Sequence, residues 1–488
     1  IADRAEVLGW IGNREAQGRD LEEMLRLAYA LSDDARVARA LHRRSEWHRL
    51  QGRYDAANED AEAALEIHQR LEDDQGQAAL LTQLGRNLLD EEEYTEAASC
   101  FRKASPIHES TGDIIDQIRC LMGLARIAQA RGDLSSAQVY CERSLDLAEA
   151  SGDPRWISYA LSSVGLGYVD LGDPEAAEIH LRQALELAKT SGARRRQGIT
   201  RVRLAHAALQ RGDLESALEQ LHAALETLRD VQDASWEAYA LGILGEVELL
   251  RGEASTAKEV LETACQRHEE LGEEEYASLN RSYLALAELA LRNDRKAWAL
   301  SQDVMSEAAN WPGPECPPEV CYNHFRVAAG TAHWAAARRA LEQAARVLEE
   351  RARLISAPDW REQYRTGLRV NRAVSEAMAD QPQPGGLRVR LARADVPSHR
   401  RPDPDEWVTV IWTVDSGEED ATLREEEGRV ALRRHRILRL LDEAAAAGAS
   451  PTVADLAGAL EVSSRTIRSD MNALREQDRP VRTRGSQT

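Results

Sequence analysis

Alanine stands at Ala57, Ala97, Ala137, Ala177, Ala217, Ala257, Ala297 and Ala337, eight positions each 40 residues from the last. A fixed period of that size marks a chain built by stacking one supersecondary unit, and it constrains every further reading of the fold. Five residues before these alanines stand Gly52, Gly132, Gly172, Gly212 and Gly252, with Glu92, Arg292 and Ala332 in the other copies. Twelve residues before come Ser45, Gly85, Ala125, Gly165, Ala205, Gly245 and Ala285, and seven after come Ala64, Ala104, Ser144, Ala184, Ala224 and Ala264. Small residues at fixed register let helix axes approach closely. In the copy Ser158 to Gln197, a first helix with Leu161, Val164 and Tyr168 on one face ends at Gly172-Asp173. A second opens on Pro174, suited to a first helical position, turns Ala177, Leu181, Ala184, Leu185 and Leu187 inward, and closes at Ser191-Gly192. Such a pair cannot bury its apolar face alone, so neighbours must stack. The 488 residues are also too many for one compact core.

The small residue, glycine turn and alanine, in this order over residues 37–357, resemble tetratricopeptide repeats lengthened from the usual length of about 34 residues. Versions of this length are similar to the sensor superhelix of the maltose-regulon activator MalT and of related signal-transduction ATPases. The resemblance implies an all-α solenoid of about eight helix pairs in a right-handed superhelix, preceded by a partial repeat over 1–36. It also implies that the first helix of each pair lines a concave groove. Transferred by register, this places Arg39, His42, Arg49, Arg86, Arg119 and Arg126 in the groove of the first three repeats. Tyr159, Val169, Ile199, Val202, His206, Leu209, Tyr239 and Leu249 follow in the next three. The expectation is a basic, then apolar groove for a protein, a peptide or a ligand with an acidic end. The alternative is that these arginines solvate a helix face or pair with neighbouring Glu and Asp.

The formal charge of −21 argues against a surface wrapped in nucleic acid but permits a local basic patch. No run reaches the ~18 apolar residues of a membrane span, so no membrane partner is expected. Six cysteines, Cys100, Cys120, Cys141, Cys265, Cys316 and Cys321, form no C-x-x-C pair and no zinc-like spacing with histidine. They suit a reduced cytoplasm. Cys141 and Cys265 fall at packing positions of the repeat. The first residues lack a charged start followed by an apolar stretch, and they lack Met; the chain opens in half a repeat, which suggests a piece of a longer protein.

After the repeats, ANWPGPECPP (309–318) reads as a proline-rich turn, Ala357 to Ala379 as a single helix capping the solenoid (domain span 358–380), and DQPQPGG as a break. Residues 381–424 read as a linker with two extended segments, Leu387 to Leu391 and Trp407 to Val414, which either pair as a ribbon or join the wing of the next domain. From Glu425 a helix turns Val430, Leu432, Ile437, Leu438 and Leu441 inward. A second begins at Thr452, whose spacing to Asp455 fits a capping box, and a third carries Ile467, Met471 and Leu474.

The stretch TVADLAGALEVSSRTIRSDMNALREQ resembles the helix-turn-helix of DeoR-type winged-helix regulators over about 60 residues. The third helix leaves Ser464, Arg465, Thr466, Arg468, Ser469 and Asn472 outward, residue types that reach base edges and phosphates. Arg479, Arg482 and Arg484 stand where a wing would touch the backbone. Residues 429–488 carry +4 and the rest of the chain about −25, an electrostatic footprint for nucleic acid.

No Walker loop, H-E-x-x-H, G-x-S-x-G or dinucleotide fingerprint occurs, and the 12 histidines have no ligand spacing. His48, His68, His108, His180, His206, His222 and His268 read as residues of helix faces. The expectation is a protein without catalytic residues, cofactor or metal. One reading is a signal-responsive transcription regulator whose winged helix (425–488) contacts DNA, dimeric forms binding half-sites about one helical turn apart. The other is the sensor portion of a multidomain ATPase of the STAND kind, such as one in anti-phage defence, with the winged helix docking protein.

Overall fold

The computed structural model of the chain describes residue 4 and residues 14–308, 317–380, 386–477, 479 and 481–485. Most of the proline-rich turn, Cys316 included, and residues 381–385 of the DQPQPGG break lie outside the described residues. Helix α1 (Arg14–Ala30) is followed by eight helix pairs. They are α2 (Asp34–Arg49) with α3 (Tyr54–Arg70), α4 (Asp74–Asp90) with α5 (Tyr94–Thr111), α6 (Ile114–Ala130) with α7 (Leu134–Ser151), and α8 (Pro154–Leu171) with α9 (Pro174–Thr190). Then come α10 (Arg194–Arg211) with α11 (Leu214–Asp230), α12 (Ala234–Arg251) with α13 (Ala254–Leu271), α14 (Glu274–Ala290) with α15 (Asp294–Ala308), and α16 (Pro318–Gly330) with α17 (Trp334–Leu354). The chain forms two compact units, residues 1–207 with 354–361, and residues 208–353 with 362–488.

All eight periodic alanines are buried. The small residue twelve positions upstream is small for a measurable reason. A Cβ added to Gly85 would lie 2.9 Å from the Phe101 ring, one at Gly165 2.6 Å from Leu181, and one at Gly245 2.4 Å from Leu261. In these three pairs the first helix therefore rests directly on one large residue of the second. The turn inside each pair needs a left-handed residue. Gly52, Gly132, Gly172, Gly212 and Gly252 supply it with φ from 69° to 86°, and Glu92, Arg292 and Ala332 adopt the same region at 63°, 67° and 62°. The geometry persists where glycine does not, at a cost of about 1–2 kcal/mol per residue. Aspartates at the helix starts, such as Asp113, Asp133 and Asp173, accept from a backbone amide two or three residues on, satisfying an otherwise orphan donor.

In the first unit, Cys120 and Cys141 are buried, and burial pushes their thiols up to about 11 and about 12. In the second, Cys265 is likewise raised to about 12 by burial. Cys141 and Cys265 are packing residues, as expected, and Cys120 is buried likewise. His108 and His268 lie on helices α5 and α13, as expected, and are fully buried there at the joints between repeats. There a ring can reach the acid at the start of the next helix, as His268 Nδ1 does to Glu273 at 2.7 Å.

Several expectations for the tail need correction, all within the second unit save the start of the first helix. The single capping helix is two helices, α18 (Pro358–Gly367) and α19 (Arg369–Ala379), because Leu368 is extended at ψ 129°. Val374 of α19 packs with Val304, Val320, Leu341 and Leu348. The expected linker 381–424 holds the strands β1 (Gly386–Ala392) and β2 (Trp407–Thr413), which pair antiparallel with Leu387 opposite Trp412 and Val389 opposite Val410. The helix expected from Glu425 is also two, α20 (Glu418–Glu426) and α21 (Gly428–Ala446), divided at Gly428 with φ 86°. That break leaves Val430 48% exposed, not inward. Helices α22 (Val453–Ala459) and α23 (Ser464–Glu476) follow, and Thr452 and Asp455 form the capping box.

One core holds these elements together. Leu387, Val389, Leu391, Val410 and Trp412 from the strands pack with Ile437, Leu440, Leu441, Leu456, Ile467, Met471 and Leu474. The two extended segments form strands and pair as a ribbon, as their β-branched and aromatic residues predict; what two seven-residue segments do not signal is which helices will cover them. Trp334 of the last repeat, 7% exposed, belongs to the same core. A Cβ on Gly458 would sit 2.0 Å from the Ala332 carbonyl oxygen, and Arg339 is paired with Glu461. The last repeat and the C-terminal domain thus share a continuous apolar interior.

Candidate functional site

In the first unit, α2, α4, α6, α8 and α10 carry the residues expected in a groove. Arg39 is exposed. His42 is half-buried, and burial lowers its imidazole below the usual range. Asp90 Oδ2 accepts from Arg49 at 2.7 Å and Asp90 Oδ1 from Arg126 at 3.3 Å. Arg86 faces Glu46 at 3.5 Å, and Arg119 donates to Asp116 at 2.5 Å. The open basic floor is corrected on this point: acids at neighbouring register positions answer four of the five cations in it, leaving Arg39. The alternative reading of those four arginines is the one the geometry supports. Asp90, Arg126, Tyr54, Tyr94 and Gln129 line a cavity of about 330 Å³ that offers both signs of charge.

The same helices bear an aromatic cluster that sequence reasoning caught only through Tyr159. Trp156 and Tyr159 meet edge to face at 6.0 Å, the Arg119 guanidinium lies 5.4 Å from the Trp156 ring, and that of Arg196 lies 4.7 Å from Tyr159. Such stacks are cation–π contacts. In the second unit Tyr239 meets Trp236 and Tyr276 edge to face at 5.5 and 5.6 Å. The signal was present in the sequence, since Trp156 and Trp236, like Tyr159 and Tyr239, are two periods apart. His206 is half-buried. Asp170, on α8, is raised to about 7 by burial, opposed by Arg203 and by the amide of Gln129 at 3.3 Å.

Among the described residues, His108, Asp113 and Asp116 bring three potential metal-ligand atoms within 4.8 Å of one another. Asp113 also caps the Asp116 amide at 3.1 Å, and Asp116 holds Arg119. Equivalent His-acid pairs, His68 with Asp73 at 2.8 Å and His268 with Glu273, are hydrogen bonds. The cluster is accounted for as a joint between repeats.

In the C-terminal domain the arginines divide into two sets. Arg433 and Arg434 pair with Asp470 at 2.5 and 3.1 Å, and Arg436 and Arg439 with Asp420 at 2.7 and 3.0 Å. Burial works to raise the Asp420 carboxyl, but Arg439, Ser416 and Arg436 hold it well below the usual carboxylate range. Arg484 donates to the carbonyls of Pro397 and Arg400 at 2.7 Å each, so it is a brace and not a wing residue. No strand follows α23 among the described residues, and the two strands precede the helices instead. The exposed set includes Arg465, Arg468, Arg479 and Arg482, with Arg429 and Arg475, none with an ion-pair partner among the described residues. Ser469 and Asn472 are exposed beside them; Ser464 and Thr466 are half-buried, the Thr466 amide capped by Ser463 at 3.1 Å.

The stacked pairs define a helical-repeat protein, and the repeats are of the tetratricopeptide type. Residues 36–110 and 117–190 match the tetratricopeptide repeat family model, and residues 371–488 match a second family described as a protein of unknown function (DUF1670). No curated relative matches. Similar solved structures include a Rap protein complexed with competence and sporulation factor, at 15% identity, covering 71% of this chain and 99% of that one, with a TM-score of 0.49. Aspartyl phosphate phosphatase F from Bacillus subtilis is similar at 15% identity, 73% and 91% coverage and 0.43. A Signal Transduction ATPase with Numerous Domains (STAND) protein with a tetratricopeptide repeat sensor from Pyrococcus horikoshii is similar at 14%, 68% and 52% coverage and 0.44, so the chain spans about half of that protein. No described helix is long and apolar enough to cross a membrane.

Proposed function

We propose that this chain is a non-catalytic cytoplasmic regulator in which the repeats bind a protein or peptide partner and the C-terminal domain contacts DNA as a winged helix-turn-helix. What supports the DNA contact is the sorting of the arginines. Arg433, Arg434, Arg436 and Arg439 of α21 are consumed by Asp470 and Asp420, whereas Arg465 and Arg468 on α23, with Arg479 and Arg482 beyond it, keep exposed charge for phosphates, as does Arg429 at the start of α21. Serine and asparagine stand between them for base edges. In the first unit the mixed-charge helices, with the Trp156 and Tyr159 cluster, suit a peptide carrying both charged and apolar groups.

The test is fluorescence anisotropy with a duplex of about 30 base pairs across a salt series. Non-specific binding at ~10⁻⁴–10⁻⁶ M is expected near physiological salt. An Arg465→Ala, Arg468→Ala double variant reduces the slope of log K against log salt by nearly two. An unchanged slope removes these residues from the interface.

A second reading has its own observation. The core shared through Trp334 makes the C-terminal domain an extension of the repeats, which suits the sensor end of a STAND-type ATPase whose last domain docks protein. A Walker motif encoded upstream of Ile1, with no DNA binding by the chain, decides for that reading.

A further inference from the structure

Helix α19 does not continue the repeats; within the second unit it lies on residues that stand at groove registers. Arg369 at its start pairs with Glu246 of α12, and the Arg369 amide donates to Gln210 Oε1 of α10 at 3.0 Å. Val370, Val374 and Met378, spaced to share one side of a helix, join the apolar cluster that holds Leu279 of α14 and Tyr322 and Phe325 of α16. The registers identify this surface. Glu246 stands 40 residues after His206, Leu279 40 after Tyr239, and Tyr322 120 after Val202, all on positions expected to line the groove. In the first unit the registers of Gln210 and Glu246 hold Asp90 and Arg126, which pair with each other. In the second unit an amide replaces the acid and an acid replaces the arginine. The repeats supply no cation at these two registers, and the one that meets Glu246 comes from α19.

Glu246 is only 9% exposed, and a carboxylate so far from water needs a cation. The rest of α19 is held on one side alone. Arg372, Ser375 and Glu376 face solvent, and the extended residue Leu368 joins the helix to α18 as a hinge. A short amphipathic helix laid into a groove of other helices is a recurring mode of peptide recognition, with anchors one and two turns apart. We propose that α19 is an internal ligand that closes the groove of the second unit, and that the partner which displaces it is a protein helix of the same chemistry, an arginine followed by an apolar stripe. Glu246 sets the sign of that partner's charge, opposite to the acidic end expected for a ligand of the first repeats. The site uses none of the residues of the Trp156 and Tyr159 cluster, so the failure of either reading leaves the other standing.

The probe is a fluorescein-labelled peptide copying residues 365–380, added in trans to the full chain and followed by anisotropy. Arg369→Ala with Val374→Ala in the chain loosens α19 and leaves the groove residues in place. This loosened chain should bind one peptide at about 10–100 µM, the affinity left after a free helix is ordered. The parent should bind at least about tenfold more weakly, because its own α19 competes at high effective concentration. A peptide with Arg369→Glu should lose at least about tenfold on the loosened chain, and regain it when Glu246→Arg is added to that chain. Circular dichroism checks the fold; where the double variant departs from the parent, Arg369→Met, which keeps the stem, takes its place with the same outcomes expected. Equal affinities of the parent and the loosened chain overturn the proposal. So does the absence of saturable binding up to about 1 mM by a folded loosened chain, and so does a glutamate peptide that binds as tightly as the arginine peptide.

Discussion

Trp334→Ala tests whether the last repeat and the C-terminal domain are one cooperative body. A buried tryptophan removes about 200 Å² from water, and at about 25 cal/mol per Å² that is roughly 5 kcal/mol, in line with the ~3–5 kcal/mol measured for comparable truncations. Trp334 belongs to the core formed by the strands and by α21–α23, while its helix also packs on its own repeat. If about half of the loss falls on the C-terminal domain, its opening free energy drops by about 2 kcal/mol, a roughly 30-fold larger opening constant. Amide hydrogen exchange reads this directly. Amides of Leu440, Leu441, Met471 and Leu474, far along the chain from the substitution, should exchange about 30-fold faster, and Trp334→Phe should recover most of the protection. Faster exchange confined to α17, with α21 and α23 unchanged, would refute the shared core and make the domain an independent module on a tether.

Further expectations concern the repeats and their joints. Asp170, at about 7 when folded and near 3.9 when unfolded, holds a proton in the native state that the unfolded chain has released. Its contribution to stability therefore falls as pH rises from about 4 to 7 and stays unfavourable above. Asp170→Asn should raise the unfolding temperature at pH 8 by a few degrees, corresponding to about 1–2 kcal/mol, and leave it unchanged at pH 3.5; equal effects at both pH values would sink the assignment. Glu92→Gly and Arg292→Gly remove left-handed strain at φ 63° and 67° and should each stabilise by up to about 1 kcal/mol in urea unfolding, less the entropy glycine adds to the unfolded chain. Gly458→Val drives a side chain into the Ala332 carbonyl and should destabilise by about 2 kcal/mol or more in the same assay, since backbone cannot yield as a side chain can.

The amino-acid sequence by itself determined the repeats, because a unit that buries its face only against its own copies must write the same small residues at the same register each time. Ala57 through Ala337, the glycine turns and the collision that a Cβ at Gly165 would make with Leu181 are one constraint expressed 40 residues apart. It also determined the outward face of α23, where Arg465 and Arg468 alternate with Ile467 and Met471 at helical spacing. Tertiary structure alone decided which charges are free. Asp90 between Arg49 and Arg126, Asp470 against Arg433 and Arg434, and Arg484 turned onto two carbonyls join residues far apart in the chain. A count of arginines cannot distinguish a charge that is answered from one that is not. Tertiary structure also decided where the C-terminal domain begins. The strands 386–392 and 407–413 are legible as extended segments but not as part of this core until Trp412 and Val389 find the helices, and Trp334 looks like any residue of a repeat until the ribbon covers it. Periodic contacts repeat and can be read along the chain; a contact made once, between segments that share no register, leaves no pattern to read.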